Sequence, residues 1–131
     1  MSASSLRLKG LDHVGIMASD FEKSVDFYRR LGLTLLRTRE DPGGVHVAVL
    51  EVGGQELNLF SKPGVASPAG APPAGMDHFC ILVDAASPEE VTAGLANAGI
   101  EIARGPIKRR DGIAFFVHDP DGVHVELQLK A

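Results

Sequence analysis

Leu11-Asp12-His13-Val14-Gly15-Ile16 and Met76-Asp77-His78-Phe79-Cys80-Ile81 are two versions of one phrase, 65 positions apart. Each opens an apolar run, each is followed by a helix-like stretch, and each half then continues in strand-like stretches, the last of which carries a glutamate. Those glutamates are Glu56, in Gly54-Gln55-Glu56-Leu57-Asn58-Leu59-Phe60, and Glu126, in Gly122-Val123-His124-Val125-Glu126-Leu127. An internal period decides the architecture before single residues are weighed, because a repeated unit must bury its apolar face against its neighbour. The repeat predicts a first module at 9–60, a linker at 61–75 and a second module at 76–129.

Working outward, the first module reads as strand, helix and three strands. Residues 11–17 form the first strand. Ser19 and Glu22 have the spacing of a capping box. Phe21, Val25, Tyr28 and Leu31 recur at helical spacing, and Gly32 supplies the left-handed residue at which helices end. Strands follow at 33–39, 45–52 and 55–60, with Asp41-Pro42-Gly43-Gly44 as a turn and Gly53-Gly54 closing a tight hairpin.

The second module repeats this plan. A strand at 77–83 leads to the capping box Ser87-Pro88-Glu89-Glu90, with proline at the first helical position. Val91 and Leu95 supply the buried stripe, and Gly99 stops the helix. Strands are expected at 100–104, 113–118 and 123–129, with Asp119-Pro120-Asp121-Gly122 as the last turn. The linker holds four of the eight prolines and reads as an extended surface connection. Each module alone has about 50 residues and one helix, too little core for independence. The halves should therefore pack together or exchange with a partner chain.

Composition bounds the partners. The chain has 131 residues, 44% of them hydrophobic and 23% charged, with a net charge of −4. No basic stripe with interleaved aromatics is present, so no nucleic-acid partner is expected. No apolar run approaches the roughly 20 residues that span a bilayer, and Met1-Ser2-Ala3-Ser4-Ser5 is not followed by the apolar core of a signal peptide. The single Cys80 cannot form an internal disulfide. Together these features predict a cytoplasmic protein.

Side chains alternate faces along a strand. His13, Gly15 and Met17 share one face; His78, Cys80 and Leu82 share another. Glu56, Asn58 and Phe60 oppose Leu57 and Leu59, and His124, Glu126 and Gln128 oppose Val125 and Leu127. In each strand the aliphatic face suits packing on a helix, and the other carries the polar candidate. Taken singly, a strand histidine is more often a hydrogen-bonded structural residue and a glutamate is usually solvated. Histidine at the same point of both halves, with a glutamate in both last strands, points to a divalent-metal site made of His13, Glu56, His78 and Glu126. Imidazole with carboxylate suits Ni, Co, Zn, Fe or Mn, and ligand type alone does not choose among them. Cys80 is a small buried hydrophobe or a thiolate ligand. His124 is a partner of the ligands or part of the pocket lining. His46 and His118 read as structural or surface residues. Arg104, Lys108, Arg109 and Arg110 form a loop-borne basic cluster, a solvated face or a holder of an anionic substrate.

Leu-Asp-His-Val-Gly-Ile at 11–16, Ser-Val-Asp-Phe-Tyr-Arg-Arg-Leu-Gly-Leu at 24–33, His78, and Asp-Pro-Asp-Gly-x-x-x-Glu at 119–126 resemble the vicinal oxygen chelate superfamily. That superfamily includes glyoxalase I, extradiol dioxygenases, methylmalonyl-CoA epimerase, and fosfomycin- and bleomycin-resistance proteins. The resemblance implies an α+β fold of two paired βαβββ modules forming a cup-shaped mixed sheet with a helix behind each. It also implies one divalent metal in the cup, and commonly a homodimer whose site is built across two chains.

By ligand set the chain is most similar to glyoxalase I-like proteins, which use four protein ligands at the positions of His13, Glu56, His78 and Glu126. That likeness implies a metal-dependent isomerase or lyase acting on a small substrate through two vicinal oxygens. Glu126 or Glu56 would remove a proton beside a carbonyl, giving an enediolate, and return it to the neighbouring carbon. The glyoxalase I arginine and asparagine that help to hold glutathione are replaced by Met17 and Phe60, which implies a different substrate and a more apolar pocket. Asn58, Cys80 and His124 complete the expected substrate-binding lining. Two alternatives stand beside this one. An extradiol ring-cleaving dioxygenase needs only His13, His78 and Glu126 on Fe(II), but its usual catalytic tyrosine has no counterpart, since Tyr28 lies on the first helix. A bleomycin-type resistance protein binds a small molecule without catalysis.

Overall fold

The computed structural model describes residues 7, 11–65, 76 and 78–130. The first module runs β1 (His13–Met17), α1 (Phe21–Leu31), β2 (Thr34–Asp41), β3 (Val45–Val52) and β4 (Gln55–Ser61). The second runs β5 (Phe79–Val83), α2 (Pro88–Asn97), β6 (Arg104–Arg109), β7 (Gly112–His118) and β8 (His124–Lys130). The fold is α+β, two βαβββ modules with a four-stranded mixed sheet in each. The strand orders are β1-β4-β3-β2 and β5-β8-β7-β6, the same permutation twice.

The permutation follows from chain chemistry. A helical crossover allows β1 to lie parallel to β4, and β5 parallel to β8. Tight turns make the remaining pairs antiparallel. Gly53 and Gly54, at φ 59° and 83°, provide the two left-handed residues of the β3–β4 hairpin. On β4 the residues Leu57 and Leu59 are buried, while Glu56, Asn58 and Phe60, alternating with them, are half-buried on the opposite face.

The two modules share one apolar cluster. Ile16, Tyr28, Leu50 and Leu59 from the first join Val91, Leu95, Phe115 and Val125 from the second. Polar links reinforce this joint. Tyr28 Oη donates to Asp119 Oδ2 at 2.9 Å, and Arg30 Nη1 donates to the Ala98 carbonyl at 3.1 Å. The Ser19 amide and hydroxyl both donate to the Asp121 carboxylate. The expectation that the halves pack together holds.

Three local expectations change. Asp20, not Ser19, caps α1, accepting from the Lys23 amide at 3.1 Å. Ser19 is drawn away to Asp121, 102 residues along the chain. The cap Ser87, with Pro88 at the start of α2, stands as expected. The strand expected at 100–104 begins only at Arg104 and runs to Arg109. A register shift between Arg104 and Ile107 accommodates Gly105 and Pro106. Hence Arg104, Lys108 and Arg109 lie on a strand rather than a loop, with Arg110 in the turn beyond. β4 extends through Ser61, into the segment read as linker. Residues 66–75 of that linker, and residues 9, 10 and 77 of the modules, lie outside the described residues.

Candidate metal and substrate site

Alternation places the candidates as the strand periodicity requires. His13, Gly15 and Met17 are exposed on β1, while Ile16 is buried behind them. Exposed Cys80 and Leu82 alternate with half-buried Phe79, Ile81 and Val83 on β5. Register then sets who faces whom. Parallel pairing puts Glu56 opposite His13, Asn58 opposite Gly15 and Phe60 opposite Met17. In the second sheet Glu126 faces Cys80 on one side and Phe116 on the other, and Phe116 faces Arg104.

One imidazole–carboxylate pair is closed. His78 Nε2 lies 2.9 Å from Glu126 Oε1, with the Glu126 side chain only 11% exposed. Burial of that carboxylate against a histidine is the usual way a folded chain retains a charge inside. Phe116 walls the pair, its ring edge-on to His78 with centroids 5.8 Å apart. The Arg104 guanidinium sits 5.6 Å from the centre of the same ring, within cation–π range. His124 stacks on His118 at 4.6 Å, so both imidazoles line the next row of the sheet. Burial, and then the nearby Glu126, push the Cys80 thiol up, against the opposing pull of Lys130. Cys80 is therefore a protonated thiol on this face rather than a ready thiolate.

The other pair is open. His13 Nδ1 is bound to Asp12 Oδ2 at 2.8 Å, and Glu56 is its register neighbour on β4. Glu56 and His78 both line a cavity of about 530 Å³ between the modules, walled by Leu11, Val14, Met76 and Leu82. Asn58 Oδ1 is buried and has no hydrogen-bond partner. Among the described residues, no three His, Cys, Asp or Glu side chains come close enough together to hold a metal ion. The expected gathering of His13, Glu56, His78 and Glu126 is thus not made within one chain; each sheet carries one part.

The repeat is also unequal in register. Glu56 faces the first-module histidine directly, whereas Glu126 faces the residue two beyond the second-module histidine. The two glutamates are not equivalent positions, although both sit in the last strand of a module.

Two features escaped the reading of the sequence. The first is Phe116, which borders the His78–Glu126 pair and for which alternation along 113–118 was the available signal; Arg104, read as part of a loop-borne basic cluster, lies across from it on β6. The second is the buried Asp119, which accepts from Tyr28 and from the amides of Asp121 and Val123 at 2.9 and 2.8 Å. Its carboxyl is raised, chiefly by desolvation and against those hydrogen bonds. Burial, then Asp119, holds the Tyr28 phenol protonated across the working range. Tyr28 points into the core and takes no part in the site.

The Glyoxalase/Bleomycin resistance protein/Dioxygenase superfamily profile matches residues 10–127. A glyoxalase domain-containing protein of Mycosarcoma maydis is 32% identical over 127 residues, covering 93% of this chain and 69% of that one. A lactoylglutathione lyase of Salmonella typhi is 32% identical over 123 residues, 88% of each chain. The crystal structure of a glyoxalase family protein from Enterococcus faecalis superposes with a TM-score of 0.76 at 31% identity, covering 92% of this chain and 97% of that one.

Proposed function

Because the chain belongs to the Glyoxalase/Bleomycin resistance protein/Dioxygenase superfamily, we propose that it is a metal-dependent isomerase or lyase of the glyoxalase type, acting on a small substrate with two vicinal oxygens. The observation that carries this reading is the contact of the exposed His78 Nε2 with the buried Glu126 Oε1 at 2.9 Å. Imidazole nitrogen beside carboxylate oxygen is the donor chemistry that first-row divalent ions take. His13, His78 and Glu126 are the metal-holding residues. β4 supplies a further oxygen, from Glu56 or Asn58, which share the face that carries His13. A bound Ni, Co, Zn, Fe or Mn ion would supply electrophilic polarisation of the substrate oxygens.

The chain's own groups do the rest. Glu126 is the catalytic base: it takes the proton beside the carbonyl and returns it to the neighbouring carbon. Its partial burial excludes water from that transfer. Met17, Phe60 and Phe116 give the substrate apolar walls, with Cys80 and His124 on the same faces. Met17 and Phe60 make the glutathione adduct named by the lyase relatives a poor fit, so the substrate is smaller and less polar. Since the two sheets of one chain hold different parts of the donor set, the working form is a homodimer in which a second copy completes each site. The free Cys80 suits a reducing cytoplasm.

The test is thermal unfolding of the metal-stripped protein against each of the five ions, with His78→Ala as control. Ion at 100 times its Kd should add about 2.7 kcal/mol of stability. A rise seen in the wild type and lost in the control supports the reading; no rise with any ion refutes it. Iron alone, with ring cleavage of catechols and no isomerase turnover, would favour the dioxygenase alternative.

A further inference from the structure

We infer that the carboxamide oxygen of Asn58, not the carboxylate of Glu56, is the first module's oxygen donor to the divalent metal. This rests on the metal-dependent reading above and changes the composition of its site.

The second module is a template for the first. There, the carboxylate that meets the histidine is not the side chain directly across the ladder. Cys80, two residues beyond His78, is the residue opposite Glu126, yet His78 Nε2 and Glu126 Oε1 are 2.9 Å apart. The contact is diagonal, one step along the same face. In the first module the same step runs from His13, past Gly15, to the residue opposite Gly15, which is Asn58. Glu56 stands directly opposite His13, the place that His124 holds relative to His78 when the second ladder is continued by one residue.

The turns preceding the last strands give the same alignment independently. Gly54, at φ 83°, stands four residues before Asn58, and Gly122, at φ 84°, stands four residues before Glu126. Matching those glycines pairs Leu57 with Val125 and Leu59 with Leu127, all four buried. Pairing Glu56 with Glu126 instead would set Gly54 against His124, which lies beyond the turn.

Asn58 also carries an orphaned acceptor. Its Oδ1 is buried without a hydrogen-bond donor. A desolvated acceptor left unpaired is destabilising, and a cation bound to it removes that cost. Glu56 instead opens onto the cavity between the modules.

The consequence is a site with two imidazoles, one carboxylate and one neutral amide. A divalent ion there keeps a net charge of +1, where a second carboxylate would cancel it. The substrate class is therefore an α-hydroxyaldehyde or α-hydroxyketone whose vicinal oxygen pair binds as an anion, with its hydroxyl deprotonated. Glu126 is then the sole base at the metal, so a transferred proton returns to the face it left.

The experiment is calorimetric titration of the metal-stripped full-length protein with Co(II), with the visible absorption spectrum of the loaded protein as a second readout. Glu56→Gln should bind within about threefold of wild type with an unchanged spectrum, and Asn58→Leu should bind about tenfold more weakly or worse, the scale of a lost metal-site contact. Asn58→Glu should bind more tightly and shift the absorption bands; it decides the matter if Asn58→Leu does not fold. Glu56→Gln as damaging as His78→Ala, with Asn58→Leu near wild type, would overturn the assignment. Binding that His78→Ala abolishes but neither β4 change affects also overturns it, while leaving the proposed function standing. Absence of binding by the wild type refutes both.

Discussion

The proposed chemistry turns on one side chain, Glu126. It is buried, touches His78, faces Phe116 across the ladder, and lies near enough to Cys80 to raise the thiol. Glu126→Gln keeps the shape and removes the proposed base, so turnover should fall at least about a hundredfold, the lower range for a lost general base. Steady-state kinetics at saturating metal checks this, and undiminished kcat would refute the role. The raised thiol should make Cys80 slow toward iodoacetamide at neutral pH despite its exposure. Removing the Glu126 charge should speed that reaction, read by mass spectrometry.

Tyr28 and Asp119 belong to the same scale but to stability. Tyr28→Phe leaves Asp119 Oδ2 buried without its donor, at about 1.5–3 kcal/mol for a hydrogen bond to a charged group. Asp119 has a folded pKa above the usual carboxylate value, chiefly through desolvation. Its favourable contribution is thus complete below the ordinary carboxylate pKa and declines as pH rises through the folded one. Asp119→Asn has no such titration. The stability advantage of wild type over that variant should shrink from pH 3.5 to 7, values taken to straddle a reference carboxylate pKa of about 3.9. Urea denaturation at several pH values gives the curve, and a constant difference would contradict it.

At the level of elements, the repeated alternation of faces was plain in the chain, and the helices ended at Gly32 and near Gly99 as their glycines indicated. What stayed hidden has physical causes. Ser19 and Glu22 formed a sound local cap, but Asp121 competes for Ser19 from a distant turn, which no local pattern reports. The strand expected at 100–104 starts at Arg104 instead, and a register shift inside β6 absorbs Gly105 and Pro106. The glutamates were matched by residue type, whereas the ladder, like the spacing from Gly54 and Gly122, sets them one step apart along a face. Position Gly112 carries its own test. A Cβ there would collide with the Leu129 carbonyl oxygen. Gly112→Ala must push β7 from β8, so a loss of about 1–3 kcal/mol or more is expected, measurable as a lowered denaturation midpoint. Glu126 sits on β8 of that same pair, so affinity for the proposed metal should fall with it.

For the whole molecule, the division of the donor set between two sheets predicts complementation. His13→Ala and His78→Ala chains, each inactive alone, should regain about a quarter of wild-type activity when unfolded, mixed and refolded together. Random pairing in a two-fold dimer makes half the dimers mixed, each with one intact site. No recovery would place the site within one chain.

The cross-module links of Ser19 with Asp121, Tyr28 with Asp119 and Arg30 with Ala98 run between segments at opposite ends of the sequence and over one shared core. The polypeptide is therefore closed on itself without a covalent bond. If the backbone were cut between residues 66 and 75, the two fragments would stay together as a non-covalent pair and melt in a single transition, and separately expressed halves would find each other. The long chain is a means of delivering two pieces at equal concentration, and the folded object would persist as two chains held by that joint.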